Sequence, residues 1–234
     1  MKAHFLKYFA LLAFLLLPLS AMGQGKVYTK SNRIADFPTK TTKVVLTGQP
    51  ILDALLKAEF TSRWRISPYE FCDAEEFEQL RNGSLYYFVH FASDDEFTYM
   101  FLSKGGPVGR NVDPLKKATD VVSIPISAAG TPSSDELVYL PAFIDMIQEY
   151  VLKAMVSDRV AYSGIKAIMR RNKRGKILCE SESRGRELFL DEAPGYIVPV
   201  VIEPSPEGPR KHRYEMLVST DNHILYSFKK SRLH

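Results

Sequence analysis

The order of apolar and polar positions predicts a strand followed by a helix near the start of the body. Residues 43–47 form a β-branched run, and Gly48 ends it. Pro50 stands where the first turn of a helix accepts proline. The apolar residues that follow recur at helical spacing. They are Ile51, Leu52, Leu55, Leu56 and Phe60.

The next stretch predicts a short extended piece, a helix and a pair of strands. Residues 65–71 are extended, and Asp73 then offers an N-cap with Glu76 at the spacing of a capping box. This helix is expected to end near Gly83, since glycine favours the position after a helix. Residues 85–91 and 97–103 are aromatic and β-branched runs around a polar turn, which predicts two paired strands.

The second half of the chain predicts one strand, the longest helix and a return to strands. Residues 121–127 form a strand, and Pro125 within it indicates a sheet edge. Residues 131–135 introduce a helix over 136–157, and 164–171 predict a further helical piece. The apolar stripe of the long helix follows the helical period. It consists of Leu140, Phe143, Ile144, Ile147, Val151, Ala154 and Met155.

The chain ends in predicted strands, and the element order defines a fold class. Residues 196–202, 214–219 and 224–228 are strands, and the last two flank the turn 220–223 as an antiparallel hairpin. No period of 20 to 50 residues repeats, and no low-complexity linker divides the chain. We therefore expect an α/β (α+β) single domain, in which a mixed β-sheet is packed by two or three main helices and closed by the C-terminal hairpin.

The element order from about Lys43 onward resembles, at the level of fold, the small mixed α/β modules of bacterial envelope assembly proteins such as TolB and CsgG. No sequence motif accompanies this resemblance, so it assigns no functional residue. It implies an exported protein with a role in the cell envelope.

The first 23 residues have the pattern of a cleavable signal peptide. Lys2 and Lys7 supply the positive start, and residues 8–17 form an apolar run shorter than the ~20 residues that span a bilayer. Ala21-Met22-Gly23 then presents small residues at the cleavage positions. We therefore expect a signal peptide over 1–23, an extended arm over 24–42 and a globular domain over 43–234. The alternatives are an uncleaved anchor and a buried core helix. A mature terminus at Gln24 resembles those of many exported proteins of the Bacteroidetes.

Composition supports a soluble body and argues against nucleic acid as a partner. Removal of 23 from 234 residues leaves 211, enough for a full apolar core at 45% hydrophobic content. No later apolar stretch reaches spanning length, so the protein is expected in the periplasm or outside the cell, soluble or peripherally attached. Without the two leader lysines, 29 basic residues face 27 acidic ones. A net charge near +2 does not favour nucleic acid.

The two cysteines leave two interpretations open. Cys72 and Cys179 both lie in the exported part, where an oxidising compartment permits a disulfide. A free cysteine is, however, also among the most buried residue types. Neither has a Cys or His at ligand spacing, which argues against a zinc site.

The glycine-rich segment 104–110 is predicted to be a surface loop. Pro107 removes one backbone donor from the segment, and the Gly-Lys-Ser/Thr ending of a phosphate loop is absent. Ser163-Gly164 lacks the leading glycine of a nucleophile elbow. No cofactor, metal site or catalytic residue is therefore predicted.

The acidic clusters and the histidines also favour structural roles. Residues 94–96 lie in a turn, and the acidic residues between 70 and 78 belong to a helix and its start. His90 lies in an aromatic strand, His212 in a basic loop and His223 in the hairpin turn. No two of them have metal-ligand spacing.

The most distinctive feature is basic. Residues 159–176, which we call the basic segment, contain seven Lys or Arg and, after Asp158, no acid before Glu180. Further cations follow at Lys211, Arg213, Lys229, Lys230 and Arg232. Such a surface suits another envelope protein, an anionic lipid or a polyanionic glycan. The alternative is a solvated helix end, where cations are favoured. The candidate binding residues are Lys166, Arg170, Arg171, Lys173 and Arg174.

Two functions therefore remain. The first is a non-catalytic exported binding or assembly module of the envelope. The second is an extracytoplasmic hydrolase whose site is assembled from residues distant in sequence. A pocket with two carboxylates, or a histidine beside serine or cysteine, would favour the hydrolase. A basic face would favour the binding module.

Overall fold

The structure is a computed structural model that describes residues 30–106, 120–130 and 132–233. The predicted signal peptide, the first residues of the predicted arm and most of the glycine-rich segment lie outside these residues. Nine strands occur in the described part of the chain. They are β1 (Thr41–Val45), β2 (Tyr69–Cys72), β3 (Tyr86–Ser93), β4 (Phe97–Lys104), β5 (Asp120–Ala128), β6 (Ile177–Leu178), β7 (Tyr196–Ile202), β8 (His212–Ser219) and β9 (Leu225–Arg232).

Seven α-helices and two short 3-10 helices occur in the same described ranges, and the first of each kind precedes β1. The α-helices are α1 (Ser31–Ile34), α2 (Pro50–Arg63), α3 (Ala74–Leu80), α4 (Ser134–Leu137), α5 (Leu140–Ala154), α6 (Asp158–Ser163) and α7 (Glu182–Leu190). The 3-10 helices are Phe37–Thr39 and Gly164–Ile168.

The strands form two mixed sheets. The first has the order β2-β1-β3-β4-β5, with β1 parallel to β2 and β3 and the remaining pairs antiparallel. The second has the order β6-β7-β8-β9, with β6 parallel to β7 and an antiparallel close. The predicted mixed α/β class and the C-terminal hairpin are confirmed. The strands are divided between two sheets, where the sequence had suggested one.

The two sheets share one apolar core, with α5 at its centre. Ile144, Ile147 and Val151 of the predicted stripe have no exposed surface. Between the sheets, the rings of Phe97 and Tyr214 meet edge to face with centroids 4.9 Å apart. One continuous cluster of buried side chains therefore joins strands of both sheets.

Hydrogen bonds from the β7–β8 loop to the β3–β4 turn also join the sheets. The amide of Ser205, in the loop between β7 and β8, donates to the carbonyl of Glu96 at 2.8 Å. The amide of Lys211 donates to the Glu96 carboxylate at 2.7 Å. Between them, Gly208 lies so close to Asp95 that a Cβ would overlap its carbonyl oxygen. Glycine is therefore required where this loop crosses the β3–β4 turn.

The predicted long helix is interrupted near its start. The sequence suggested one helix over 136–157, but α4 ends at Leu137 and α5 begins at Leu140. Pro141 lies in the first turn of α5. Proline has no N–H, and its ring clashes with the carbonyl four residues earlier, so one continuous helix could not pass through it. The predicted helix over 164–171 is likewise shorter, a 3-10 helix that ends at Ile168.

The residues before β1 differ from the predicted extended arm. Ser31–Ile34 is helical, Phe37–Thr39 is a 3-10 helix, and β1 begins at Thr41. Ile34 and Phe37 are fully buried in the core. The described part of the predicted arm is therefore packed into the body of the protein.

Helix α7 was not predicted, and glycine explains its packing. Gly185 lies in the middle of α7, where it lowers intrinsic helix propensity. A Cβ on Gly185 would lie 3.1 Å from the Cβ of Val198 on β7. The glycine therefore lets the helix pack closely on the second sheet.

Within the three described ranges, no helix is both long and apolar enough to cross a membrane.

Candidate functional site

The candidate binding residues occupy one exposed stretch between α6 and β6. Lys166 lies in the 3-10 helix Gly164–Ile168, and Arg170, Arg171, Lys173 and Arg174 lie in the loop that follows. All five are exposed. The structure thus brings the predicted residues together on one surface segment.

The loop is anchored at its start by Arg170. The amide of Arg170 donates to the carbonyl of Leu225 at 2.8 Å, which holds the loop against the start of β9. Its guanidinium donates to Oε1 of Glu149 on α5 at 2.9 Å. Glu149 also pairs with Lys153. One carboxylate of α5 therefore holds the basic segment beside that helix.

The loop is anchored at its end by Lys176. Its ammonium donates to both carboxylate oxygens of Asp221, at 2.9 and 2.8 Å, in the β8–β9 turn. Burial by itself would raise the pKa of Asp221, but hydrogen bonds from Lys176 and from the Gly195 amide outweigh it and lower that pKa. Asp221 is therefore held in its charged form.

Between these anchors the loop has a defined backbone, and three of its cations, like Lys166 before it, lack a partner among the described residues. The Asn172 side chain accepts from the Arg174 amide at 2.9 Å, and the Lys176 amide donates to the Lys173 carbonyl at 3.1 Å. In residues 30–106, 120–130 and 132–233, the side chains of Lys166, Arg171, Lys173 and Arg174 have no hydrogen-bond or ion-pair partner. These four cations therefore point at solvent from an ordered segment.

The C-terminal cations do not join this group. Arg213 is paired with Glu203 and Glu215, at 3.3 and 2.7 Å. Lys229 lies about 13 Å along β9 from Leu225, at a rise of ~3.3 Å per residue. The C-terminal cations are thus spread over β8, β9 and the residue before β8.

A second polar cluster lies at the junction of α2, α5, α7 and the β8–β9 turn, and sequence reasoning missed it. The Nδ1 atom of His223 lies 2.6 Å from Oδ2 of Asp145. The same oxygen accepts from Arg63 at 3.1 Å, and Arg63 also pairs with Glu59 at 2.7 Å. Gln148 contacts the other Asp145 oxygen at 3.3 Å.

Local backbone strain coincides with this cluster. His223 has φ 55°, and Glu192, whose carboxylate lies 4.0 Å from Arg63, has φ 47°. Such angles are uncommon outside glycine and occur often at functional sites. The ring of His223 stacks on Phe189, with centroids 5.1 Å apart. Within the described part of the chain, its Nε2 atom has no hydrogen-bond partner. The sequence carried no signal for this pair, because 78 positions separate the two residues.

A histidine also lies beside a serine, but the proton order does not suit nucleophilic attack. His90 Nε2 is 2.9 Å from Ser103 Oγ, and Ser103 donates its single proton to Asp120 at 2.8 Å. The imidazole must then donate to Ser103, whereas an activated serine gives its proton to the base. The rings of Phe77 and Phe101 stack on His90 from two sides. Burial lowers the pKa of His90 to about 4, so it is neutral at physiological pH.

The acidic clusters serve the turn and the helix. Asp94 accepts from the amides of Glu96 and Phe97, at 2.8 and 2.7 Å. Asp73 caps α3 by accepting from the Glu76 amide at 2.8 Å. The Glu76 carboxylate pairs with Lys43 at 2.7 Å, so it does not close the predicted capping box in return.

The described start of the glycine-rich segment is hydrogen-bonded to the turn that follows α3. The amide of Gly106 donates to the carbonyl of Arg81 at 3.1 Å. A Cβ on Gly105 would overlap the carbonyl oxygen of Gly83. Gly105 is therefore required for close backbone packing, whereas a Cβ at Gly106 would meet no atom within 4 Å. Residues 107–110 lie outside the described residues.

Both cysteines are free thiols, so the structure favours free cysteines over a disulfide between them. Cys72 is buried, and burial raises its pKa to about 11. Cys179 is partly exposed, and its Sγ lies 3.4 Å from the carbonyl of Ser181. Among the described side chains, no group of three or more His, Cys, Asp or Glu could hold a metal ion.

The chain matches no family model, no curated protein and no solved structure.

Proposed function

We propose that the protein is an exported, non-catalytic binding module of the cell envelope, and that it holds polyanionic ligands on the basic segment. The observation that carries the proposal is the set of four exposed cations, Lys166, Arg171, Lys173 and Arg174, on an ordered loop. Within the described residues none of them is neutralised by a carboxylate. Phosphate, sulfate or carboxylate groups of a ligand would supply the missing counter-charges.

The anchors of the loop support a binding role over a solvated helix end. The 3-10 helix ends at Ile168, so Arg171, Lys173 and Arg174 lie beyond any helix terminus that would favour cations. The contacts from Arg170 to Glu149 and from Lys176 to Asp221 hold the two ends of the loop. A ligand would therefore meet pre-ordered cations and would not need to order the loop itself.

Binding across a salt series tests the proposal. The probes are phosphatidylglycerol-containing vesicles and soluble polyphosphate. The protein is purified from its native cell, in the form that the cell produces. Affinity should fall steeply as salt is added, because salt screens exposed charges. The triple variant Arg171→Ala/Lys173→Ala/Arg174→Ala should lose roughly 100-fold in affinity for anionic vesicles, about fivefold for each cation.

A matched control separates the position of the charges from their number. Lys57→Ala/Arg81→Ala/Arg184→Ala removes the same charge from α2, from the end of α3 and from α7, and it should bind almost like the parent. Equal weakening of both triple variants would mean that net charge alone attracts the probes. That result would overturn the basic segment as the binding site.

Export rests on the leader pattern of residues 1–23 and has its own test. Mass spectrometry of the protein recovered from the periplasm or culture medium should find an N-terminus near Gln24. Recovery of the intact chain from the cytosol, with Met1 still attached, would refute export.

The hydrolase remains a second candidate because of one observation, the pairing of His223 with Asp145. A carboxylate that orients an imidazole, with the other ring nitrogen free, is the arrangement of a general base. The test is hydrolysis of extracytoplasmic glycans and peptides by the purified protein, with His223→Gln as the variant. This candidate requires activity in the parent and its loss in His223→Gln. Equal rates for parent and variant would exclude His223 as the base.

A further inference from the structure

Two apolar side chains project from the end of α5 into solvent. Leu152, in the last turn of the helix, is 49% exposed, and Val156, two residues past its end, is 83% exposed. Met155 between them keeps helical angles, φ −61° and ψ −27°, so Val156 follows Leu152 by about one helical turn. The opposite side of the same turns buries Tyr150, Val151 and Ala154 in the core.

A third exposed side chain, the ring of Tyr162, lies within the basic segment. Tyr162 on α6 is 48% exposed. Arg159 lies one helical turn before it on α6, and Lys166 follows in the 3-10 helix beyond Gly164, whose φ of 61° ends α6. Both cations are exposed. We call Leu152, Val156 and Tyr162 the apolar rim. The first two lie shortly before the basic segment, and Tyr162 lies within it.

A direct contact places the start of the basic segment's loop beside Leu152. Glu149 lies three residues before Leu152, close to one helical turn away on α5, and binds Arg170 of the basic loop. It also binds Lys153, the neighbour of Leu152. The loop that carries Arg171, Lys173 and Arg174 is therefore attached at its start to the turn of α5 that bears Leu152.

The presence of apolar side chains beside the cations favours one class of polyanion over the others. A soluble glycan or polyphosphate would neutralise the cations and leave the apolar side chains in water. The surface of an anionic bilayer offers both partners, with phosphate groups at headgroup level and acyl chains just below. Tyrosine is well suited to this boundary because its ring is apolar and its hydroxyl is polar.

We infer that the ligand of the basic segment is the surface of an anionic phospholipid bilayer, into which Leu152, Val156 and Tyr162 insert while the neighbouring cations bind lipid phosphates. The inference rests on the proposed binding function and adds the identity of the ligand. The protein then lies on the membrane surface with the end of α5 and the basic loop facing the lipid.

The test compares two pairs of exposed apolar residues at the same spacing. Leu152→Ser/Val156→Ser alters the apolar rim. Ile51→Ser/Leu55→Ser alters an i, i+4 pair on α2 that is 76% and 38% exposed, and serves as the matched control. Both variants change surface residues, and thermal unfolding verifies that each is folded. The probes are vesicles of phosphatidylcholine with phosphatidylglycerol, vesicles of phosphatidylcholine alone, and soluble polyphosphate.

The expected pattern is specific to one variant and one probe. Leu152→Ser/Val156→Ser should bind the anionic vesicles at least roughly tenfold more weakly, since each side chain loses apolar burial on insertion. Its affinity for polyphosphate should equal that of the parent, and the control variant should match the parent with every probe.

The failures of the inference and of the proposed function are distinguishable. If Leu152→Ser/Val156→Ser binds anionic vesicles like the parent, or weakens no more than the control, membrane insertion is wrong. The binding function survives that result as long as Arg171→Ala/Lys173→Ala/Arg174→Ala still loses both anionic probes. If the basic variant retains both probes, the function and the inference fail together.

Discussion

The imidazole of His223 and the carboxylate of Asp145 meet at 2.6 Å, and their contact joins the turn of the C-terminal hairpin to the central helix α5. Arg63, at the end of α2, shares the same carboxylate oxygen. One aspartate therefore connects elements that belong to both halves of the fold.

Removal of this carboxylate should destabilise the protein. Asp145→Ala leaves His223 and Arg63 without a shared acceptor, and hydrogen bonds to charged groups contribute about 1.5–3 kcal/mol each. We expect the free energy of unfolding, measured by urea denaturation, to fall by about that amount. The control Asp191→Ala, at the exposed end of α7, should change it by less than about 0.5 kcal/mol. Equal effects of the two substitutions would contradict a structural role for Asp145.

A double-mutant cycle isolates the contribution of the pair itself. Asn tolerates the left-handed angles of position 223, so His223→Asn removes the imidazole without adding much backbone strain. Asp145→Ala, His223→Asn and the double variant should give a coupling energy of about 0.5–3 kcal/mol. A coupling energy of zero would mean that the two side chains stabilise the fold independently.

The buried His90 predicts a specific loss of stability in mild acid. Burial lowers its pKa to about 4, whereas an unfolded chain binds the proton near pH 6.5. Between these values the unfolded state holds more protons, so the free energy of unfolding should fall as pH drops from about 6.5 to 4. His90→Gln should flatten this part of the stability curve. A curve of the same slope in the variant would show that another group causes the acid sensitivity.

Asp36 provides the comparison, because it should act at lower pH. Burial by itself would raise the pKa of Asp36, but hydrogen bonds from Lys104, Lys40 and Tyr87 outweigh it and hold that pKa well below its usual range. The stabilisation is present above the unfolded pKa, near 4, and is lost only as pH falls further. Asp36→Asn should therefore leave the slope between pH 6.5 and 4 intact and flatten the curve below it.

Two adjacent glycines should differ sharply in their tolerance of alanine. A Cβ at Gly105 would overlap the carbonyl oxygen of Gly83, whereas a Cβ at Gly106 meets no atom within 4 Å. Gly105→Ala must displace backbone, and we expect it to lower the free energy of unfolding by about 1–3 kcal/mol. Gly106→Ala should change it by less than about 0.5 kcal/mol. Urea denaturation of the two variants decides, and equal stability would refute the close approach.

The two thiols should react at very different rates. Only the thiolate is nucleophilic, and the buried Cys72, with a pKa raised to about 11, is about one part in a thousand thiolate at pH 8. Alkylation of the folded protein, followed by mass spectrometry, should label the partly exposed Cys179 first. In denaturant both should react, which counts two free thiols. Early labelling of Cys72, or a count below two, would contradict the structure.

Elements with local signals could be predicted well. The cap at Asp73, the start of α2 at Pro50 and the β3–β4 pair all depend on residues close together in sequence, and the structure confirms each of them. The basic segment is also evident from the sequence, because its seven cations lie within 18 positions. The break before α5 had a local signal in Pro141, but the predicted helix over 136–157 passed through it and was wrong there.

The rest depended on partners distant in sequence. Helix α7 contains a glycine that weakens local helix propensity, and the helix is stabilised by close packing on Val198 of β7. Likewise, no local pattern around Leu152 predicts the ion pair between Glu149 and Arg170, because these two residues are 21 positions apart.

By itself, the amino-acid sequence determined most of the strands, helices α2 and α3 and the charge of the exposed loop, because helix caps, turns and hydrophobic periods act over a few residues. Only the tertiary structure decided that the strands separate into two sheets and that His223 meets Asp145. It also decided that the cations lie beside an apolar rim. These relationships arise from packing between distant segments, whose free energy depends on shape and burial that no local pattern records.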